Sequence, residues 1–163
     1  MAETPQTIEA LLNSLPQVGK VAWIGLRPQR RAAIKTVSSV EASTEQGLIG
    51  DRYCGRNGKR QVTLIQYEHL AVVASILGRS ECAPELLRRN IAVSGINVLA
   101  LKGKTFKLAD TVLEYTGLCH PCSFMEKTFG PGGYNAVRGH GGITARVVKN
   151  GIIRINDPVR LAC

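Results

Sequence analysis

Thr105-Phe106-Lys107-Leu108-Ala109-Asp110-Thr111-Val112-Leu113-Glu114-Tyr115-Thr116-Gly117-Leu118-Cys119-His120-Pro121-Cys122-Ser123 carries the reading of the fold. Two β-prone runs, Thr105 to Leu108 and Thr111 to Tyr115, surround Ala109-Asp110 and lead straight into a compact cysteine stretch. A short helix is expected over Ser123 to Phe129 beyond it. A thiol at the start of a helix sees the positive end of the macrodipole, which favours the thiolate, the form that attacks, carries sulfur or ligates a soft metal. Pro121 fixes the turn just before Cys122, so Cys122 is the first candidate for chemistry.

Outward from this stretch the chain reads as many short strands. Upstream lie Lys20 to Leu26, an alternating run Ile34 to Val40, Gln61 to Ile65 and Asn90 to Val93. Downstream lie Ile143 to Val148, Ile152 to Ile155 and Pro158 to Leu161, with Asn150-Gly151 predicting a hairpin turn between the first two. The best helix is Tyr67 to Leu77, with Leu70, Val73, Ala74 and Leu77 at helical spacing and Gly78 closing it. A single helical turn is expected at Pro84 to Arg88. Thr7 is a candidate N-cap for a short helix in a 1–19 appendage, and residues 20–163 form the main domain. Gly47 to Arg52, Gly130 to Gly133 and Gly139 to Gly142 read as loops. Strands this numerous, with so few helices, predict a mostly β barrel rather than a doubly wound parallel sheet.

At 163 residues and 44% hydrophobic content the chain can bury a core without covalent staples. No apolar run is long enough to span a membrane, and the N-terminus lacks a secretory pattern. A cytoplasmic location with reduced thiols is therefore expected for the five cysteines. The net charge of +9 fits either a basic pocket for a small anion, a solvated basic surface or a nucleic-acid contact. Aromatics are only 5% and no zinc finger, basic zipper or helix-turn-helix pattern occurs, which argues against nucleic acid as the partner.

Cys119-His120-Pro121-Cys122 has the spacing of a thiol–disulfide redox pair, but that reading needs an early βαβ unit around the motif, and the motif lies late. Structural zinc would need remote help from Cys54 or His140. Two buried structural thiols are the plain alternative. Arg88-Arg89 before a strand can bind a phosphate or carboxylate, or simply sit at a helix C-terminus. Asp51 after Gly50 reads first as a turn-capping carboxylate. His120 has a better functional claim than His140, because it sits inside the cysteine stretch.

Four segments in order, Gly47-Leu48-Ile49-Gly50-Asp51-Arg52, Arg60-Gln61-Val62-Thr63-Leu64-Ile65, Leu87-Arg88-Arg89-Asn90-Ile91-Ala92-Val93-Ser94-Gly95-Ile96 and Pro121-Cys122, resemble a MOSC domain. The likeness runs from about Lys20 to Leu161. It implies a MOSC-type β-barrel with a few short helices and one functional cysteine, matched by Cys122. In sulfurase-type members that cysteine carries sulfur as a persulfide. In amidoxime-reducing members it ligates the molybdenum of the molybdenum cofactor, whose pyranopterin phosphate is held by basic and polar groups. By the same resemblance Arg88 and Asn90 match an Arg-x-Asn-Ile cofactor contact, and Cys119 and His120 precede the cysteine in the cofactor site. The implied partners are the cofactor, or a sulfur donor or acceptor protein, with a redox partner if the activity is reduction of N-hydroxylated compounds. No pyridoxal phosphate is expected. Asn156 stands where the family often has glycine, and asparagine tolerates the left-handed turn required.

Overall fold

A computed structural model describes residues 6–53 and 57–162. Cys54 and Cys163 lie outside the described residues. Helix α1 (Ile8–Leu12) opens the chain, and the Thr7 hydroxyl accepts from Ala10 N at 3.0 Å, as its capping position predicts. Strands β1 (Gly19–Leu26), β2 (Lys35–Val37), β3 (Ser39–Ser43), β4 (Gly47–Leu48) and β5 (Val62–Gln66) follow, then α2 (His69–Ile76), a 3₁₀ turn at Pro84–Leu87 and β6 (Ile91–Ser94). A second 3₁₀ turn at Val98–Leu101 leads to β7 (Thr105–Leu108), β8 (Thr111–Leu118), α3 (Ser123–Phe129), α4 (Gly133–Val137), β9 (Ile143–Lys149), β10 (Gly151–Arg154) and β11 (Pro158–Leu161).

The main sheet runs β11-β7-β8-β9-β5-β6-β1-β2, and β11 also pairs with β1, so seven strands close into a barrel and β2 extends one edge. Closure removes the open edges that an all-β sheet otherwise exposes. A small sheet, β10-β3-β4, packs beside it. The expected mostly β barrel with few short helices is what the chain forms.

One core fills the barrel and a second lies between its wall and the helices. Val62, Leu64, Ile91 and Val93 point inward with Phe106 and Leu113. Ile65 and Ala92, one position out of phase, face Leu70, Val73 and Met125 outside. All five residues of β5 are therefore buried. The cause is the connection: β5 and β6 are parallel, and parallel neighbours require a crossover, here carrying α2. This βαβ unit lies away from the cysteine motif, whose strand β8 is flanked by antiparallel β7 and β9. That removes the setting on which the thiol–disulfide redox reading depends.

Three expectations need correction. Ile34 to Val40 is not one strand, because the chain bends at Ser38, so β2 stays with the barrel and β3 crosses to the small sheet, where Val40 pairs with Ile153. Asn150-Gly151 is not a hairpin, since β10 pairs with β3 and not with β9. Gly151 is glycine for another reason: a Cβ there would sit 2.4 Å from Thr111 Oγ1. Gly130 to Gly133 is not merely a loop, for Gly132 (φ 91°) caps α4 and Gly133 already belongs to that helix. Asn156 does take the left-handed conformation, φ 72°.

Candidate functional site

The register fixes where the site lies. Ile24 pairs with Ile91, Ile91 with Leu64, Leu64 with Ile143, and Ile143 with Leu118. This row crosses five strands. Arg27 after β1, Arg88-Arg89-Asn90 before β6 and Arg60 before β5 lie past it on one side, and Cys119 after β8 lies past it on the other. The long side chains of Arg89 and Arg60 cross between the two: Arg89 Nη2 donates to Cys119 O, and Arg60 Nη2 lies 3.9 Å from Cys119 Sγ.

Beside Cys119 and Arg89 opens a cleft of about 320 Å³. Among the described residues its walls carry seven arginines (27, 30, 31, 52, 60, 88 and 89), Lys127, His120 and Cys122, and no carboxylate. Cys122 is exposed and free, and stands in extended conformation (φ −123°, ψ 173°) as N-cap of α3. Its sulfur makes no capping hydrogen bond, so the thiol faces the cleft uncommitted to the backbone. Met125 and Phe129, both buried against the barrel wall, anchor α3, at about 1.5–3 kcal/mol for each side chain.

The cysteine stretch is held from behind by Arg89. This guanidinium is 7% exposed and donates through Nε to Gly141 O (2.8 Å), through Nη1 to Leu87 O (2.8 Å), and through Nη2 to the carbonyls of His120 (3.3 Å) and Cys119 (3.5 Å). Cys119 N donates to Gly142 O at 2.9 Å. Such close approach needs Gly141, because a Cβ there would lie 2.1 Å from Cys119 O. Burial lowers the pKa of Arg89, opposed by the neighbouring Cys119 and Cys122 and reinforced by Arg27 and Arg60. Burial likewise lowers that of Arg88, with Arg27 and Arg52 adding to the effect against Asp51 and Cys122. Burial and neighbouring cations both disfavour the charged form, and both groups register it.

Arg88 and His120, both expected at the site, line the cleft with Cys122. Arg88 has φ 55°, donates from Nη1 to Ala32 O at 2.7 Å and lies over the Phe124 ring. Asn90 and Cys119 do not reach the cleft. Cys119 is 2% exposed, with Arg60 Nη2 3.9 Å from its sulfur. Asn90 is fully buried, and its side-chain bonds are all made to protein: Oδ1 accepts from Thr63 N (3.0 Å) and Oγ1 (3.2 Å), and Nδ2 donates to Gly25 O and Asp51 Oδ1 (both 3.1 Å). Its place is a bracket behind the site. Asp51 belongs to the same bracket, for its carboxylate accepts from Arg27 N (2.8 Å), Nε (3.2 Å) and Nη2 (3.0 Å). His140 is elsewhere, its Nδ1 3.2 Å from His69 Nδ1. Among the described residues no three His, Cys, Asp or Glu side chains cluster as a metal site, which leaves the zinc alternative without its ligands there. Arg27, Arg30, Arg31, Arg52 and Arg60 were not singled out as site residues by sequence. Arg52 and Arg60 do lie within the segments that carry the family resemblance, and for the other three only the net charge pointed towards such a cluster.

A sequence model of the MOSC domain matches residues 39–160. No curated protein matches the chain in sequence. Among solved structures, the fold is similar to the YuaD protein of Bacillus subtilis (TM-score 0.76, 18% identity, 90% of this chain and 97% of that one). It is also similar to YiiM of Escherichia coli (TM-score 0.68, 16% identity, 88% and 70%) and YiiM of Geobacillus stearothermophilus (TM-score 0.70, 16% identity, 89% and 75%). Among the described residues no helix is long and apolar enough to cross a membrane.

Proposed function

We propose, from the premise that the chain belongs to the MOSC domain family, that its cleft binds the molybdenum cofactor, with Cys122 as the metal's thiolate ligand. The observation that carries this reading is an exposed, uncommitted thiol in a cleft lined, among the described residues, by seven arginines and no carboxylate. The donor set fits the group. A thiolate suits a soft metal centre, and guanidinium forks suit the pterin's phosphate. Arg88 is the foremost phosphate contact, because it lines the cleft and is already oriented by Ala32 O and Phe124. Arg89 lines the same wall, but its bonds to the His120 and Cys119 carbonyls make it the group that sets the position of Cys122. Asn90 and Asp51 position Arg27 and the end of β1. When bound, the molybdenum centre would supply two-electron reduction of N-hydroxylated compounds, with electrons from a separate redox partner.

A second reading rests on the same exposed thiol. Cys122 thiolate can take the terminal sulfur of a donor persulfide, forming Cys122 persulfide and releasing the donor thiolate, with no metal. Protein made in a host that synthesises the cofactor separates the two. Near-stoichiometric molybdenum and pterin, lost in Cys122→Ser, is the expected result. A metal-free protein whose Cys122 is labelled as persulfide supports sulfur carriage and overturns the cofactor reading. Steeply salt-dependent affinity for polynucleotide that survives Cys122→Ser would overturn both.

A further inference from the structure

The Gly139-His140-Gly141-Gly142 loop braces the cysteine stretch through its backbone. Gly141 O accepts from Arg89 Nε at 2.8 Å, and Gly142 O accepts from Cys119 N at 2.9 Å. The fit has no slack, for a Cβ on Gly141 would collide with Cys119 O and one on Gly142 with Leu64 O. Three glycines in four residues leave the loop one side chain, that of His140. It is half-buried, and its Nδ1 lies 3.2 Å from Nδ1 of His69, the first residue of α2, with the ring planes at 88°. The elements around the pair bring Glu68 and Arg79 from before and after α2, Arg138 from the end of α4, Glu126 from α3 and Arg89 from before β6. Each is already engaged. Glu68 accepts from Gln66 Nε2 and Gly95 N (both 3.0 Å), and Glu126 from Gly132 N (2.7 Å) and Tyr134 N (2.9 Å). Arg138 donates to Asn135 Oδ1 (3.3 Å), Arg79 lies over the Phe129 ring, and Arg89 is spent on backbone carbonyls.

A hydrogen bond between the two Nδ1 atoms needs one hydrogen there, with one ring donating and the other accepting. The neutral pair meets that condition. So does the pair with one added proton, which settles on the far nitrogen of the donor ring. A second added proton puts a hydrogen on both facing nitrogens, so the bond is lost and two imidazolium ions face each other. Burial, then His140, hold the pKa of His69 below 6.5 against the pull of Glu68. We infer that the His69–His140 bond is an acid-released latch on the cysteine stretch. Near neutrality it holds the glycine loop, and through it Arg89 and Cys119, in place; double protonation of the pair lets them go. Glycine loses the most freedom on being fixed, so this loop gains the most when its one side-chain tether opens. Histidine clusters of this kind switch at about pH 5–6. Release frees the Cys119 amide, loosens the Arg89 clamp and unseats the turn that presents Cys122. The latch belongs to the loop and is the same whether Cys122 ligates a metal or carries sulfur.

The test titrates the full chain from pH 8 to 5 and reads three signals by NMR. These are the imidazole Cε1–Hε1 resonances of His69 and His140, the Arg89 Nε–Hε resonance, and exchange of the Cys119 amide, corrected for the intrinsic pH dependence of exchange. The second imidazole step, the Arg89 shift and a loss of Cys119 protection should share one midpoint. Cys119 should lose about tenfold more protection than amides at the centres of β5 and β6, as a local opening requires. His69→Asn removes one of the two charges and should leave Cys119 protection level across the range. His140→Ala removes the tether and should hold that protection low even at pH 8. Imidazoles that take up the second proton while Arg89 and Cys119 stay unchanged would show the ring swinging out alone, and would overturn the latch. So would a pair that takes no second proton above pH 5, or equal losses of protection at Cys119 and in the core. The titration of the parent chain decides the matter even where a variant does not fold.

Discussion

Asn90 offers the sharpest check on how the site is built, because two roles predict opposite results. As a cofactor contact, Asn90→Ala would weaken binding and leave the fold intact. As the bracket described above, it should cost mainly stability. The side chain has no exposed surface and makes four hydrogen bonds, to Thr63 N, Thr63 Oγ1, Gly25 O and the Asp51 carboxylate. Three bonds between neutral groups at about 1 kcal/mol and one to a charged acceptor at about 2 kcal/mol give a loss of about 5 kcal/mol. That is a large part of the roughly 5–15 kcal/mol that holds a domain folded. Asn90→Asp is nearly isosteric and more informative. It keeps the acceptor facing Thr63 but sets a carboxylate oxygen where Nδ2 lies, 3.1 Å from both Gly25 O and Asp51 Oδ1. It should destabilise at least as much as Ala, because a buried carboxylate then faces both Gly25 O and the Asp51 carboxylate where a donor stood. Urea unfolding monitored by Trp23 fluorescence, with the m-value held as a control, gives both numbers. A loss below about 1 kcal/mol for Asn90→Ala, accompanied by weakened cofactor binding, would refute the bracket.

Arg88→Ala should lower cofactor retention about ten- to a hundredfold, from loss of a charge-assisted contact worth roughly 1.5–3 kcal/mol, with little change in urea midpoint; unchanged retention would return Arg88 to the solvated surface. Limiting iodoacetamide on cofactor-free protein should label Cys122 before Cys82 or Cys119, which are 6% and 2% exposed, and burial further raises the pKa of Cys82. Preferential labelling of Cys82 in a peptide map would contradict the exposed-thiol geometry. Air oxidation should give a Cys119–Cys122 disulfide by mass spectrometry only if the Arg89 clamp yields, so the bridge should form faster in Arg89→Met than in the parent chain; equal rates would show that the clamp does not restrain the thiols. Burial, aided by nearby His140 and opposed by Glu68, holds the pKa of His69 below 6.5. The folded state therefore binds that proton less readily than the unfolded chain, and stability present above about pH 6.5 should decline as pH falls through that value. His69→Asn should flatten the decline between pH 7.5 and 5, and an unchanged slope would place its origin elsewhere.

The strands were legible because most are short apolar or alternating runs between turn residues, and the cysteine turn because proline and a helix start flank it. What escaped the sequence was set by partners distant along the chain. The run Ile34 to Val40 reads as one alternating strand, yet Ser38 divides it between two sheets and Val37, not Thr36, packs on the core; no local pattern reports which sheet a strand joins. Asn150-Gly151 has the composition of a hairpin turn, but β3 supplies a better partner for β10 than β9 does, and Asn150 Oδ1 instead accepts from Thr44 N at 2.8 Å. The same limit governs the site. Arg88-Arg89-Asn90 reads as one motif, but the chain turns through φ 55° at Arg88 as it leaves the 3₁₀ turn for β6, and the three neighbours take three positions. Arg88 stands in the cleft, Arg89 spans from its wall to the back of the cysteine stretch, and Asn90 is enclosed between β1, β5 and Asp51. The positive charge of the cleft is completed by arginines on loops distant in sequence, at positions 27–31, 52 and 60. A motif can name the thiol and one of its basic neighbours; which other cations line the cleft beside them is decided by the loops and long side chains that the fold brings across from other strands.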